Sequence, residues 1–182
     1  MTAPLNFFCQ YKNNYFVETG SYHGAGISQA VAAGFTHVIS IELSEKYHTL
    51  CRDKFKDMPN VKLILGDSAL ELARVIAQIS APITFWLDGH SSGGDTACGV
   101  GYRVPGAPIY EELAAIAQHP LKTHTLLIDD VHQLDKEFIA AVLAVNPHYT
   151  LKLVRGAQPD GFILIAQLER QDSAESPLEN GT

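Results

Sequence analysis

The chain is short of cysteine, of positive charge and of long apolar runs. Its cysteines, Cys9, Cys51 and Cys98, are odd in number and widely spaced. That pattern excludes a disulfide framework and zinc-type ligand spacing, and it predicts free thiols in a reducing, cytoplasmic setting. Lys and Arg together number 13 against 20 Asp and Glu, a net charge of −7. General affinity for phosphate backbones runs on basic side chains, so no nucleic-acid partner is expected. No apolar run is long enough to cross a bilayer, and the N-terminus lacks the basic, apolar, small-residue order of a signal peptide. No membrane partner is expected either. Repeats are missing, and so is a strict G-x-G-x-x-G dinucleotide fingerprint.

What is there suits one domain over residues 1–182, of which 46% are hydrophobic. Residues 1–13 read as an arm held on the body by Phe7, Phe8 and Tyr11. Residues 14–168 read as the core, and 169–182 as a polar tail expected to be disordered. Apolar, β-branched runs predict strands over 15–18, 37–42, 61–65, 83–88 and 125–129. Helical patterns lie between them over 26–33, 45–56, 69–79 and 109–118. Such alternation implies a parallel sheet covered on both faces. The end differs. A helix over 138–145 precedes two apolar runs, 149–154 and 162–168, joined by a Gly/Pro/Asp loop that predicts an antiparallel hairpin. The expected class is α/β, a Rossmann-like three-layer sandwich with a mostly parallel sheet. Residues 90–108 form a long glycine-rich loop at the carboxyl edge of that sheet, where open α/β sheets bind ligands, and predict a mobile lid. Trp86, inside a strand, is expected in the core.

The stretch Glu18-Thr19-Gly20-Ser21-Tyr22-His23-Gly24 carries the most chemistry. It reads as a strand ending in an acid, then a glycine turn, then a helix start. Glycine admits close backbone approach, and a helix start offers unpaired N–H groups. The acid repels pyrophosphate but suits a cationic, hydroxyl-bearing cofactor, which points to S-adenosylmethionine ahead of NAD. Glu42 ends the next strand, where an acid can accept both hydroxyls of a ribose. Asp67 and Ser68 end the third strand and could meet an adenine or cap the following helix. Tyr22 covers the cofactor or simply packs.

A second group is acidic. Asp88 ends the fourth strand, and Asp129 and Asp130 end the fifth. Three carboxylates at one edge call for a neutralising cation such as Mg²⁺, unless Asp129 and Asp130 face opposite ways as adjacent strand residues do. His90 and His132 fall nearby; either could serve as a general base, with His90 the better placed.

These residues resemble the motifs of class I S-adenosylmethionine-dependent methyltransferases, and within them the catechol-type and macrocin/mycinamicin-type metal-dependent O-methyltransferases. The resemblance runs from about Tyr15 to His132. It implies a seven-stranded sheet with a reversed C-terminal hairpin strand. Cofactor contacts are implied from Glu18, Gly20, Ser21, Tyr22, Gly24, Glu42, Asp67, Ser68 and Asp88. Mg²⁺ would be held by Asp88, Asp129 and Asp130, with His90, Asp88 and His132 as the catalytic set. The implied reaction is methylation of a hydroxyl on a small molecule or sugar. The lysine that follows the first metal acid in catechol-type enzymes is missing here, where Gly89-His90-Ser91-Ser92 stands, and His90 takes its place. A cofactor-binding module without turnover and a metal-independent methyltransferase are the alternatives.

Overall fold

The computed structural model describes residues 3–4, 6–90, 101–131, 133–156 and 161–169. Seven strands form one sheet: β1 (Tyr15–Thr19), β2 (His37–Glu42), β3 (Val61–Leu65), β4 (Ile83–Leu87), β5 (Thr125–Ile128), β6 (Thr150–Arg155) and β7 (Phe162–Gln167). Their order is β3-β2-β1-β4-β5-β7-β6. Pairs among β1 to β5 are parallel, whereas β7 runs antiparallel to both β5 and β6. The α/β sandwich with a C-terminal antiparallel hairpin is therefore what the chain forms. The hairpin's second strand inserts between β5 and the first, and Gly156 N–H donating to the Gly161 carbonyl at 2.9 Å closes its loop.

The helices are α1 (Ala25–Ala32), α2 (Glu45–Phe55), α3 (Ser68–Ile76), α4 (Ile109–Gln118) and α5 (Lys136–Val145). Strand alternation sorts the core into two layers. Val17, Ile39, Phe85 and Leu126 face the layer of α3, α4 and α5. Phe16, Val38, Trp86 and Leu127 face the layer of α1, α2 and the N-terminal arm. The arm forms a 3₁₀ turn at Phe7–Tyr11. Phe8 packs edge-on to Trp86 at 5.1 Å and against Phe16 at 4.9 Å. Thr84 Oγ1 donates to the Tyr11 carbonyl at 2.6 Å, which ties the arm to β4. The expected tail beyond Glu169 and residues 91–100 of the expected lid lie outside the described residues.

Two strand boundaries set where the acids stand. β4 and β5 end at Leu87 and Ile128, one residue short of their acids. Asp130 then adopts a left-handed backbone at φ 51°. The chain has left the strand before the Asp129-Asp130 pair, so simple alternation no longer decides where the two side chains go.

Candidate functional site

The tip of β1 passes into a tight turn. Gly20, Tyr22 and Gly24 all have positive φ, 82°, 45° and 73°. Tyr22 is the costly member, because a side chain disfavours that region. It is held there from two sides. Its N–H donates to Glu42 Oε2 at 2.9 Å, and its carbonyl accepts from Cys51 Sγ at 3.2 Å. Lys54 Nζ donates to the neighbouring His23 carbonyl at 3.0 Å. Tyr22 is 45% exposed, and its ring lies against Tyr47 and His23 at 4.5 and 4.2 Å.

The acids at the strand ends are not solvated. Glu42 is buried, and its second oxygen accepts the Ser44 N–H at 2.7 Å. Glu18 is 1% exposed and accepts from Ser40 Oγ at 2.5 Å. Ser40 in turn lies 2.6 Å from Ser21 Oγ. The side chains of Glu18 and Ser21 thus form an internal chain beneath the turn. Burial pushes the Glu18 carboxyl up to about 8, against the lowering effect of the Ser40 bond and with a further push from Glu42. Gly26 has its reason here. A Cβ on Gly26 would lie 1.8 Å from Glu18 Oε1, so the third glycine makes room for the buried acid. Gly24 lies over Phe55 and Cys51, and a Cβ there would meet the Phe55 ring at 2.5 Å.

At the next tip Asp67 caps α3, its side chain accepting the Ala69 N–H at 2.9 Å. Ser68 Oγ donates to Glu112 Oε1 at 2.6 Å. Glu112 is buried, and burial pushes its carboxyl up to about 7, with the Ser68 and Thr19 hydrogen bonds acting the other way. It therefore joins α3, α4 and the end of β1. The sequence alone does not single out Glu112, Ser40, Cys51 or Phe55. The i, i+4, i+8 spacing of Tyr47, Cys51 and Phe55 is the signal that marks the α2 stripe backing the turn. Glu112 has no comparable local signal.

The acidic group converges in part. His90 lies between two of its members, with Nδ1 3.3 Å from Asp88 Oδ1 and Nε2 2.9 Å from Asp130 Oδ2. Asp88 is held well above the ordinary carboxyl range, first by burial and then by Asp129. Asp129 is pushed up to about 6, chiefly by burial. A neutral imidazole donates from one nitrogen only. Both carboxylates are satisfied when the ring is an imidazolium or when one carboxyl holds a proton.

The expected Mg²⁺ site can be compared with this geometry. Among the described residues no three His, Cys, Asp or Glu side chains are grouped to hold a metal ion. The His90 ring stands between Asp88 and Asp130 and engages one oxygen of each. So arranged, the donor set does not fit magnesium. His132, the remaining catalytic expectation, lies outside the described residues.

Beside this group a cavity of about 300 Å³ opens between the tips of β4 and β5 and the starts of α4 and α5. Its walls include Leu87, Val104, Ile109, Ile128, Val131 and Phe138. Glu112, Asp129, Asp130 and Asp135 supply its carboxylates, and His90 lines it too. The segment 101–108 borders the cavity and is fastened by Arg103. Its guanidinium pairs with Glu137 and lies 4.4 Å from the Tyr110 ring centre, while its N–H donates to Glu111 Oε1 at 2.9 Å.

No protein-family model matches the chain, and no curated protein matches it. Solved structures do share its fold. Human methyltransferase-like protein 13 in complex with SAH aligns at a TM-score of 0.58 and 14% identity, over 93% of this chain and 82% of that one. An rRNA methylase from Streptococcus thermophilus aligns at 0.56 and 14%, over 90% and 93%. The CurJ carbon methyltransferase aligns at 0.55 and 11%, over 88% of this chain and 50% of that one. At such identities the likeness is one of fold: this chain has the seven-stranded sheet of methyltransferases. Those proteins differ in acceptor, so the fold alone carries neither the exclusion of nucleic acid nor the choice of oxygen. No described helix is long and apolar enough to cross a membrane.

Proposed function

We propose that this chain is an S-adenosylmethionine-dependent methyltransferase acting on a polar atom, first of all a hydroxyl, of a small molecule. One observation carries the reading. A strained glycine turn at the tip of β1 is locked by a buried acid at the tip of β2, through the Tyr22 N–H to Glu42 bond, on a sheet of the methyltransferase kind. Gly20 is required by the fold itself: a Cβ there would come within 2.4 Å of the Asp88 carbonyl, so the tips of β1 and β4 stand close together. The donor set suits the cofactor as well. On this reading Glu42 and Tyr22 would meet the ribose and its base, with Ser68 further along the edge.

The cofactor supplies an electrophilic methyl group when bound. The chain's own residues do the rest. Glu42 fixes the turn that seats the nucleoside, and the Asp88–His90–Asp130 group fixes the edge beside it. Proximity and alignment of an acceptor held in the neighbouring cavity supply much of the acceleration. With both its nitrogens facing carboxylates, His90 holds the acids together; it is not free to take a substrate proton. This observation favours the metal-independent form of the reading over the magnesium-dependent one.

The test is calorimetric titration with S-adenosylmethionine and its demethylated product, with and without EDTA. Binding unchanged by EDTA and weakened at least about tenfold in Glu42→Ala, the loss of charged hydrogen bonds, is the expected result. No heat with either nucleoside refutes the function, and EDTA-sensitive binding or turnover restores the metal.

A further inference from the structure

The cavity between the tips of β4 and β5 sits beside the proposed cofactor seat, and its lining is specific in charge. We propose that it receives a methyl acceptor with an apolar body and a protonated amino group that the carboxylates hold. The methyl goes to a separate hydroxyl oxygen, whose new C–O bond forms as the sulfonium S–CH₃ bond breaks and whose proton leaves to solvent. This rests on the methyl-transfer reading and names the acceptor class for that site.

Three observations carry it. The first is shape. About 300 Å³ bounded by Leu87, Ile109, Ile128, Val131 and Phe138 matches the lower end of small-ligand pockets. The walls give a molecule of roughly ten heavy atoms an apolar surface to cover, on that same size scale. The second is sign. Glu112, Asp129, Asp130 and Asp135 line the space, and no Lys or Arg is among its described lining residues. His90, the one group among the described lining residues that can carry positive charge, faces Asp88 and Asp130 with its two nitrogens. The guanidinium of Arg103, on the segment that borders the cavity, is paired with Glu137 and lies over the Tyr110 ring. The third is cost. An anion entering here meets carboxylates without a free cation among the described lining residues, in a partly buried space where Coulomb terms are strong. An ammonium meets partners, and the charge-assisted bonds it makes are stronger than neutral ones. Phosphate-bearing acceptors, RNA included, are therefore the wrong class for this cavity.

The experiment uses the full chain and three probes of one shape: 2-phenylethylamine, 2-phenylethanol and phenylacetate. Binding of each is measured by ligand-observed NMR at pH 7.5, with and without the demethylated cofactor. The amine should bind at least about tenfold more tightly than the alcohol, and phenylacetate most weakly. Val104→Lys, at an exposed lining position, should abolish the preference for the amine without disturbing the core. Asp129→Asn should narrow it. Equal binding of amine and carboxylate, no binding of any probe, or displacement of the amine by a short RNA in the wild-type chain would overturn the proposal. Cofactor binding is read separately in the same samples. Amine preference without cofactor binding would defeat the methyl-transfer reading and leave the cavity's selectivity standing. Cofactor binding without amine preference would do the reverse.

Discussion

Replacing Glu18 by Gln should make the protein more stable in mild alkali. Glu18 is 1% exposed, and burial pushes it to about 8 from an ordinary 4.5. The folded chain therefore holds this proton where the unfolded chain has released it. Stability tied to such a group is present at low pH and is lost as pH rises from about 4.5 to about 8. The loss is about 1 kcal/mol at pH 5 and about 4.5 kcal/mol at pH 8.5, from 1.36 kcal/mol per pH unit. Glutamine keeps an oxygen to accept the Ser40 hydroxyl and carries no charge. The difference in unfolding free energy between variant and wild type should thus grow by about 4 kcal/mol between pH 5 and pH 8.5. Urea unfolding at the two pH values measures it. Parallel stability curves for the two proteins would refute the claim that this acid is buried without a cation.

Acid should weaken the opposite edge of the sheet. His124 is buried and pushed down to about 4, first by burial and then by His119; its Nδ1 accepts the Ile83 N–H at 3.1 Å. The unfolded chain takes up that proton first, so stability should fall by about 3 kcal/mol between pH 7 and pH 4, and urea melts of His124→Asn should lack this slope. Phe8→Ala should cost about 3–5 kcal/mol by leaving a cavity between Phe16 and Trp86; a loss within 1 kcal/mol of zero would show that the arm does not belong to the core. Gly20→Ala should cost about 2 kcal/mol or more through its positive φ and its contact with the Asp88 carbonyl, and should weaken cofactor binding in parallel, as thermal melts and titration together would report.

The fold was legible because its signals are local. Runs such as Phe16-Val17 and Leu126-Leu127 must be covered on both sides, and each falls between helical patterns; the structure puts their two residues on opposite layers. The glycine turn was legible for a like reason, since the residue type permits the positive φ that Gly20 and Gly24 adopt. What was not legible depends on partners far away in sequence. Glu112 reads as one half of an ordinary acidic first turn, and only the Ser68 hydroxyl, 44 positions earlier, shows that it is inside. Gly26 carries no local signal of its role, which is to leave space for Glu18. The three aspartates follow the ends of β4 and β5 in sequence. The His90 contact with them has no local signal, because where that ring lies depends on the turn after β4 and on the left-handed Asp130.

The central claim is that a sulfonium nucleoside lies across the tips of β1, β2 and β4. Amide chemical-shift mapping of the ¹⁵N-labelled chain with the demethylated cofactor tests it most directly. The account predicts large shifts confined to residues 18–24, 42–44, 66–68 and 88–90. An unchanged spectrum, or shifts centred on the β6–β7 hairpin instead, would contradict it.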